Sequence, residues 1–170
     1  MKRSSQTTSR RKPVGGVRSV ELFAANNLSV VRFAADATQC TKLMFVDEGA
    51  VMSCLLLEDR SSFDETFSFE EGMVAVKHTL RLVADRNLGS AWLEAEFRLE
   101  AVQRGLCALV TLNDGRQLLV GYSARFGAQQ PLRISQIETS SGQAPSDQPT
   151  VTLQLESIDT SAAAECIINQ

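Results

Sequence analysis

Residues 106–159 constrain the fold more than any other part of this chain, because they read as two β-hairpins in succession. Residues 106–112 and 117–122 flank Asn113-Asp114-Gly115, a turn whose glycine can take the positive φ that a tight hairpin needs. Residues 132–137 and 151–157 flank a longer polar loop, 139–149, which holds Ser140, Ser141, Gly142, Pro145, Ser146, Asp147 and Pro149. Such a composition gives no helical period. A long polar loop between regular strands is either disordered or bound to something.

Strand signals run through the preceding half as well. Residues 17–23 and 28–33 read as strands about a turn at 24–27, and 42–46 and 51–57 as strands about Asp47-Glu48-Gly49. Phe63, Phe67 and Phe69 share one parity in a polar segment, which suits a half-buried strand. Residues 73–83 alternate most clearly: Val74, Val76, His78, Leu80 and Leu82 share one face, and Lys77, Thr79 and Arg81 the other. The strands at 106–112 and 117–122 are apolar on both parities, as central strands covered on both faces are. In contrast, Val151, Leu153 and Leu155 alternate with polar residues, so that strand meets the core on one face and water, or a lumen, on the other.

Residues 90–103 carry the one helical pattern, with Ser90 as its expected N-cap and Gly105 as its expected stop. At about 100° per residue, Trp92, Ala95, Leu99 and Val102 form one apolar stripe. Leu93, Phe97 and Ala101 form a second, well over a right angle away. An ordinary surface helix has one stripe; two imply burial on two sides, inside a larger core or between the core and another subunit. The bulk of Trp92 assigns its stripe to the core. That leaves Leu93, Phe97 and Ala101 as the candidate subunit contact. About ten strands and one helix result, a mainly β fold: a barrel or sandwich with the helix packed against it.

A chain of 170 residues forms one domain with a core that needs no staples. Its four cysteines, Cys40, Cys54, Cys107 and Cys166, are widely spaced and read as buried reduced thiols. Charge divides the chain into a basic arm, 1–16, and a body, 17–170. Residues 1–12 hold Lys2, Arg3, Arg10, Arg11 and Lys12 and no acid, which leaves 12 basic and 20 acidic residues and a formal net charge of −8 beyond them. The arm is Ser/Thr-rich and is expected to be disordered until a partner orders it. The arm reads first as a solvated tail, next as a subunit contact in which Arg10, Arg11 and Lys12 lie on an acidic neighbour, and last as a nucleic-acid contact. An acidic body argues against DNA binding as the main activity, since affinity for DNA rests on phosphate neutralisation. No apolar run reaches membrane-spanning length, and no apolar segment follows the basic N-terminus as in a secretory signal.

Candidate chemistry is thin. His78, the one histidine, falls in the apolar phase of its strand and is either a core residue or the base of a Cys–His pair with Cys107. The paired acids Asp47-Glu48, Asp64-Glu65 and Glu70-Glu71 sit at or beside turns and read as solvated rather than as a glycosidase pair. Gly121-Tyr122-Ser123 lacks the rest of a nucleophile elbow. Phosphate-binding and dinucleotide fingerprints are missing from the sequence. The expectation is a protein that is not an enzyme and takes no cofactor or metal.

The order of strand, helix, tight hairpin, strand, Ser/Gly/Asp loop and alternating strand resembles the tail tube proteins of phages, a fold shared with the tube protein of type VI secretion systems. The matching pieces are residues 74–83, 90–103, the hairpin at Asn113-Asp114-Gly115, and Ser140-Ser141-Gly142 to Asp147 leading into Val151-Thr152-Leu153-Gln154-Leu155, with residues 15–33 similar to an opening hairpin. The resemblance implies a subunit that oligomerises into rings, usually hexameric, which stack into a tube and contact other tail proteins. It implies no catalytic residues, DNA only as passing cargo, no membrane, and a life in the host cytoplasm and then the virion. Ser141, Gly142, Asp147 and the arm would bridge subunits, ordered only against their neighbours. A small β-barrel binding module for an apolar ligand is the alternative.

Overall fold

The structure, a computed structural model, describes residues 15–167. They fold as eleven strands in two sheets with one α-helix. The strands are β1 (Val17–Ala24), β2 (Leu28–Phe33), β3 (Gln39–Phe45), β4 (Met52–Cys54), β5 (Ser62–Glu70), β6 (Met73–Asp85), β7 (Leu106–Leu112), β8 (Gln117–Val120), β9 (Arg133–Ser140), β10 (Thr150–Asp159) and β11 (Ala164–Cys166). The larger sheet runs β2-β3-β11-β8-β7-β1-β4 and the smaller β5-β6-β10-β9. All strand pairs are antiparallel except β3 with β11.

The double-sided apolar character of β7 has a direct structural cause. β1 and β2 stand at the two ends of a six-strand run, yet only the three-residue turn Ala25–Asn27 joins them. The larger sheet must therefore roll on itself into an open barrel. Phe23, Ala25, Cys107, Leu109 and Leu119 fill the inside of that roll. On its outer side Leu22, Ala108, Val110 and Val120 meet Leu80, Leu82, Leu153 and Leu155 of the smaller sheet. Alternate residues of β1 and β7 thus serve two cores.

The expected helix is broken in two. Residues Ser90–Leu93 form a 3-10 turn, Glu94 is extended at φ −69° and ψ 140°, and the α-helix α1 runs Ala95–Gln103. Ser90 therefore caps nothing on α1. Gly105 does end it, with φ +74° after Arg104 and its N–H donating to Ala101. A Cβ on Gly105 would also collide with the Pro131 ring.

The break shifts the phase of the apolar stripes. Trp92 is buried, as expected, but it sits in the 3-10 turn and no longer shares a face with Leu99. Leu93, Phe97 and Ala101, expected to face a neighbour, pack on the main core instead, and Ala101 is 0% exposed. Leu99 and Val102 are the large apolar residues that α1 turns outward, along with Ala95 at its start.

Candidate functional site

Two features stand apart from the packed sandwich: an apolar overhang on the β5–β6 hairpin and a buried polar row around His78. Both arise from the register of the smaller sheet. β10 pairs with β6 as far as Asp159 opposite Val76. β5 continues past that point through Ser68–Ala75, Phe69–Val74 and Glu70–Met73. Three rungs, about 10 Å of hairpin, therefore project with two strands where the rest of the sheet has more.

Directly paired residues of an antiparallel ladder share a face. Phe63–Leu80, Phe67–Val76 and Phe69–Val74 thus lie in one line. Phe63 packs on the core and Val76 is buried, but Phe67 and Val74 are exposed, and Phe69 is 74% exposed. The core face of the sheet simply continues beyond the core. On the opposite face of the overhang Met73 is exposed beside Glu70. With Leu99 and Val102 on α1, these are among the large apolar groups left exposed in the described residues.

The polar row crosses the same sheet. Glu65, His78 and Ser157 are register partners on β5, β6 and β10. Ser157 Oγ lies 3.4 Å from His78 Nδ1, and His78 Nε2 lies 3.4 Å from Glu65 Oε1. The order acid, base and hydroxyl invites comparison with a nucleophilic triad. The geometry does not act as one. Both separations are long for hydrogen bonds, and Nε2 is buried with no hydrogen-bond partner. His78 and Ser157 are both buried; Ser157 borders a separate surface cleft, and the cavity that His78 adjoins, lined also by Tyr122, Ser123 and Asp159, has about 10 Å³ of free space. That is at the lower limit for a single water. Glu65 instead accepts a 2.6 Å hydrogen bond from the Ala163 N–H, which fastens the segment leading into β11.

The cysteines behave as structural groups. Cys107 donates to the Gly121 carbonyl inside the barrel, and burial pushes its thiol up to about 12. His78 is not its partner. Burial also pushes Cys54 up to about 12. Cys40 and Cys166 face each other across the parallel β3–β11 pair, and the hydrogen bond between their thiols lowers Cys40 while raising Cys166. Ser123 Oγ accepts from the Phe126 N–H within a turn. Among the described residues no three metal-ligating side chains converge, and no helix is long and apolar enough to cross a membrane.

The loop at 139–149 supplies its own order. Asp147 Oδ2 accepts from the Gln143 and Ala144 N–H groups, both at 2.9 Å, and Ser140 Oγ accepts from Gly142 at 3.2 Å. The bond from Ala144 and then that from Gln143 hold the Asp147 carboxyl below its ordinary range. Gly142 has φ +76°, and Ser141 Oγ bonds within the same loop. Ser141, Gly142 and Asp147 thus build a self-bonded surface turn, anchored by Gln148 to Asp85. Arg10, Arg11 and Lys12 lie outside the described residues. The overhang had no sequence signal of its own, because exposure of Phe69 depends on where β10 stops. Compared with protein-family models, curated proteins and solved structures, the chain matches none.

Proposed function

We propose that this protein is a non-enzymatic structural subunit that assembles with copies of itself into rings or a tube, as in a phage tail or a phage-derived injection apparatus. The observation that carries this reading is the β5–β6 overhang. A two-stranded ribbon with Phe69 and Val74 on one face, next to the exposed Phe67, is poorly stabilised alone in water. Covering it with a neighbouring subunit removes that apolar surface from water. The exposed Leu99 and Val102 of α1 offer a second contact, as a ring subunit with two unlike neighbours requires.

The acidic body suits this role, since a lumen carrying negative charge repels DNA and lets it slide as cargo. Partners are then identical copies and other tail proteins, and the subunit passes from the host cytoplasm into the virion. The alternative, a small barrel that binds an apolar ligand, has less support: Phe23, Leu109 and Leu119 already fill the roll of the larger sheet. Negative-stain electron microscopy of the concentrated full chain tests the proposal. Rings or stacked tubes support it; a uniform field of single small particles sinks it.

A further inference from the structure

A groove runs between the outer edge of β5 and the larger sheet. Two adjoining clefts of about 530 and 290 Å³ compose it, sharing Phe63, Asp64, Leu112 and Arg116. Its floor is apolar, from Phe63, Phe67, Leu112 and Leu118. Its rim is acidic, from Asp64, Glu65, Asp114 and Glu165. Arg116, the one basic group among the lining residues, is already paired with Asp114 at 2.8 Å. β5 is the end strand of its sheet, so its outer backbone groups have no ladder partner among the described strands.

The mouth of the groove is formed by Gly15 and Gly16 themselves. The Gly15 and Gly16 carbonyls accept from the Asn113 side chain and backbone, and Gly16 has φ +93°. Chain preceding Gly15 therefore enters at this point. We propose that the groove is the docking site of the chain's own N-terminal arm, residues 1–14, added antiparallel to β5 as a further strand.

Charge and length both fit. The arm holds five basic residues and no acid, against a rim left with Asp64, Glu65 and Glu165 once Arg116 answers Asp114. The distance along β5 from Ser62 to Phe67 is about 17 Å, which five or six extended residues cover. Running back from Gly15, such a strand brings Lys12, Arg11 and Arg10 past Asp64 and Glu65. Successive side chains of a strand alternate between faces, so Lys12 and Arg10 lay their aliphatic stems on the Phe63–Phe67 floor while their charged ends reach the rim, and Arg11 turns to the opposite face. The left-handed Gly16 provides the reversal into β1. Tethering keeps the local concentration of the arm high. The docking is a property of one chain and stands whether or not subunits assemble.

Carbodiimide coupling of the full chain, mixed in equal parts unlabelled and nitrogen-15-labelled, tests this at low salt by mass spectrometry. Lys12 linked to Asp64, Glu65 or Glu165 within single chains is the expected result. Links that mix isotopes would put the arm on a neighbour and overturn docking in cis. No link from Lys12 to these carboxylates would overturn the groove as its site. A second readout is tryptic cleavage after Arg10 and Arg11. The Asp64→Lys, Glu165→Lys double variant should be cut about fivefold faster than the natural chain at low salt; an unchanged rate would also overturn the proposal.

Discussion

Replacing Phe69 by serine separates folding from assembly, because the two depend on its surroundings in opposite ways. Phe69 is 74% exposed in the single subunit and pairs with an exposed Val74. Its removal there costs the fold no more than about 0.5 kcal/mol, as for a surface substitution, and moves the melting temperature by about 2 °C at most. Full burial of a phenylalanine side chain is worth about 1.5–3 kcal/mol. Three-quarters of that remains available, so a neighbour that covers Phe69 loses about 1–2 kcal/mol per contact on substitution. The association constant then falls about 5- to 30-fold for each contact, and contacts repeat around a ring. Sedimentation velocity over a dilution series reads the association, and circular dichroism on heating reads the fold. An unchanged dissociation profile would refute the claim that the overhang is an interface. A large fall in melting temperature would show that Phe69 belongs to the subunit's own core.

On α1, Ala101→Leu should lower stability by about 1–3 kcal/mol by chemical denaturation, because Ala101 is fully enclosed against the main core. Leu99→Ser should leave stability alone and weaken association, so the two variants distinguish the inner from the outer face. Gly105→Ala should cost about 1–3 kcal/mol, since it meets both a positive φ and the Pro131 ring. Asp147 has a folded pKa below its unfolded value, so its contribution to loop stability is present above about pH 4 and is lost as pH falls through the folded value. Carbon-13 NMR titration should show this carboxyl titrating below the ordinary aspartate range, with amide protection at Gln143 and Ala144 falling in step; a normal titration would mean the loop bonds do not persist in solution.

Much of the sheet structure is legible in single residues. The period-two run Val74 to Leu82 predicts β6, and its inward set holds Val76, His78, Leu80 and Leu82 in the structure. The double-sided apolar residues of β7 predict a covered central strand, which lies between two cores. Helical phase is less secure. A reading at 100° per residue assumes one continuous helix, and a single extended residue, Glu94, rotates Trp92 out of line with Leu99. β11 has three residues and gives no measurable period, and β4 is held by pairing with the distant β1. The overhang escapes local pattern entirely. Phe63 and Phe69 look alike in sequence, and only the end of β10 leaves one covered and the other bare.

Native mass spectrometry of the full chain at high micromolar concentration, in low and in moderate salt, tests self-assembly most directly. We expect a closed ring mass or a ladder of higher polymers under both conditions, because apolar contact at Phe69, Val74 and Leu99 is not screened by salt. A strictly monomeric mass in both conditions would contradict the assembly role.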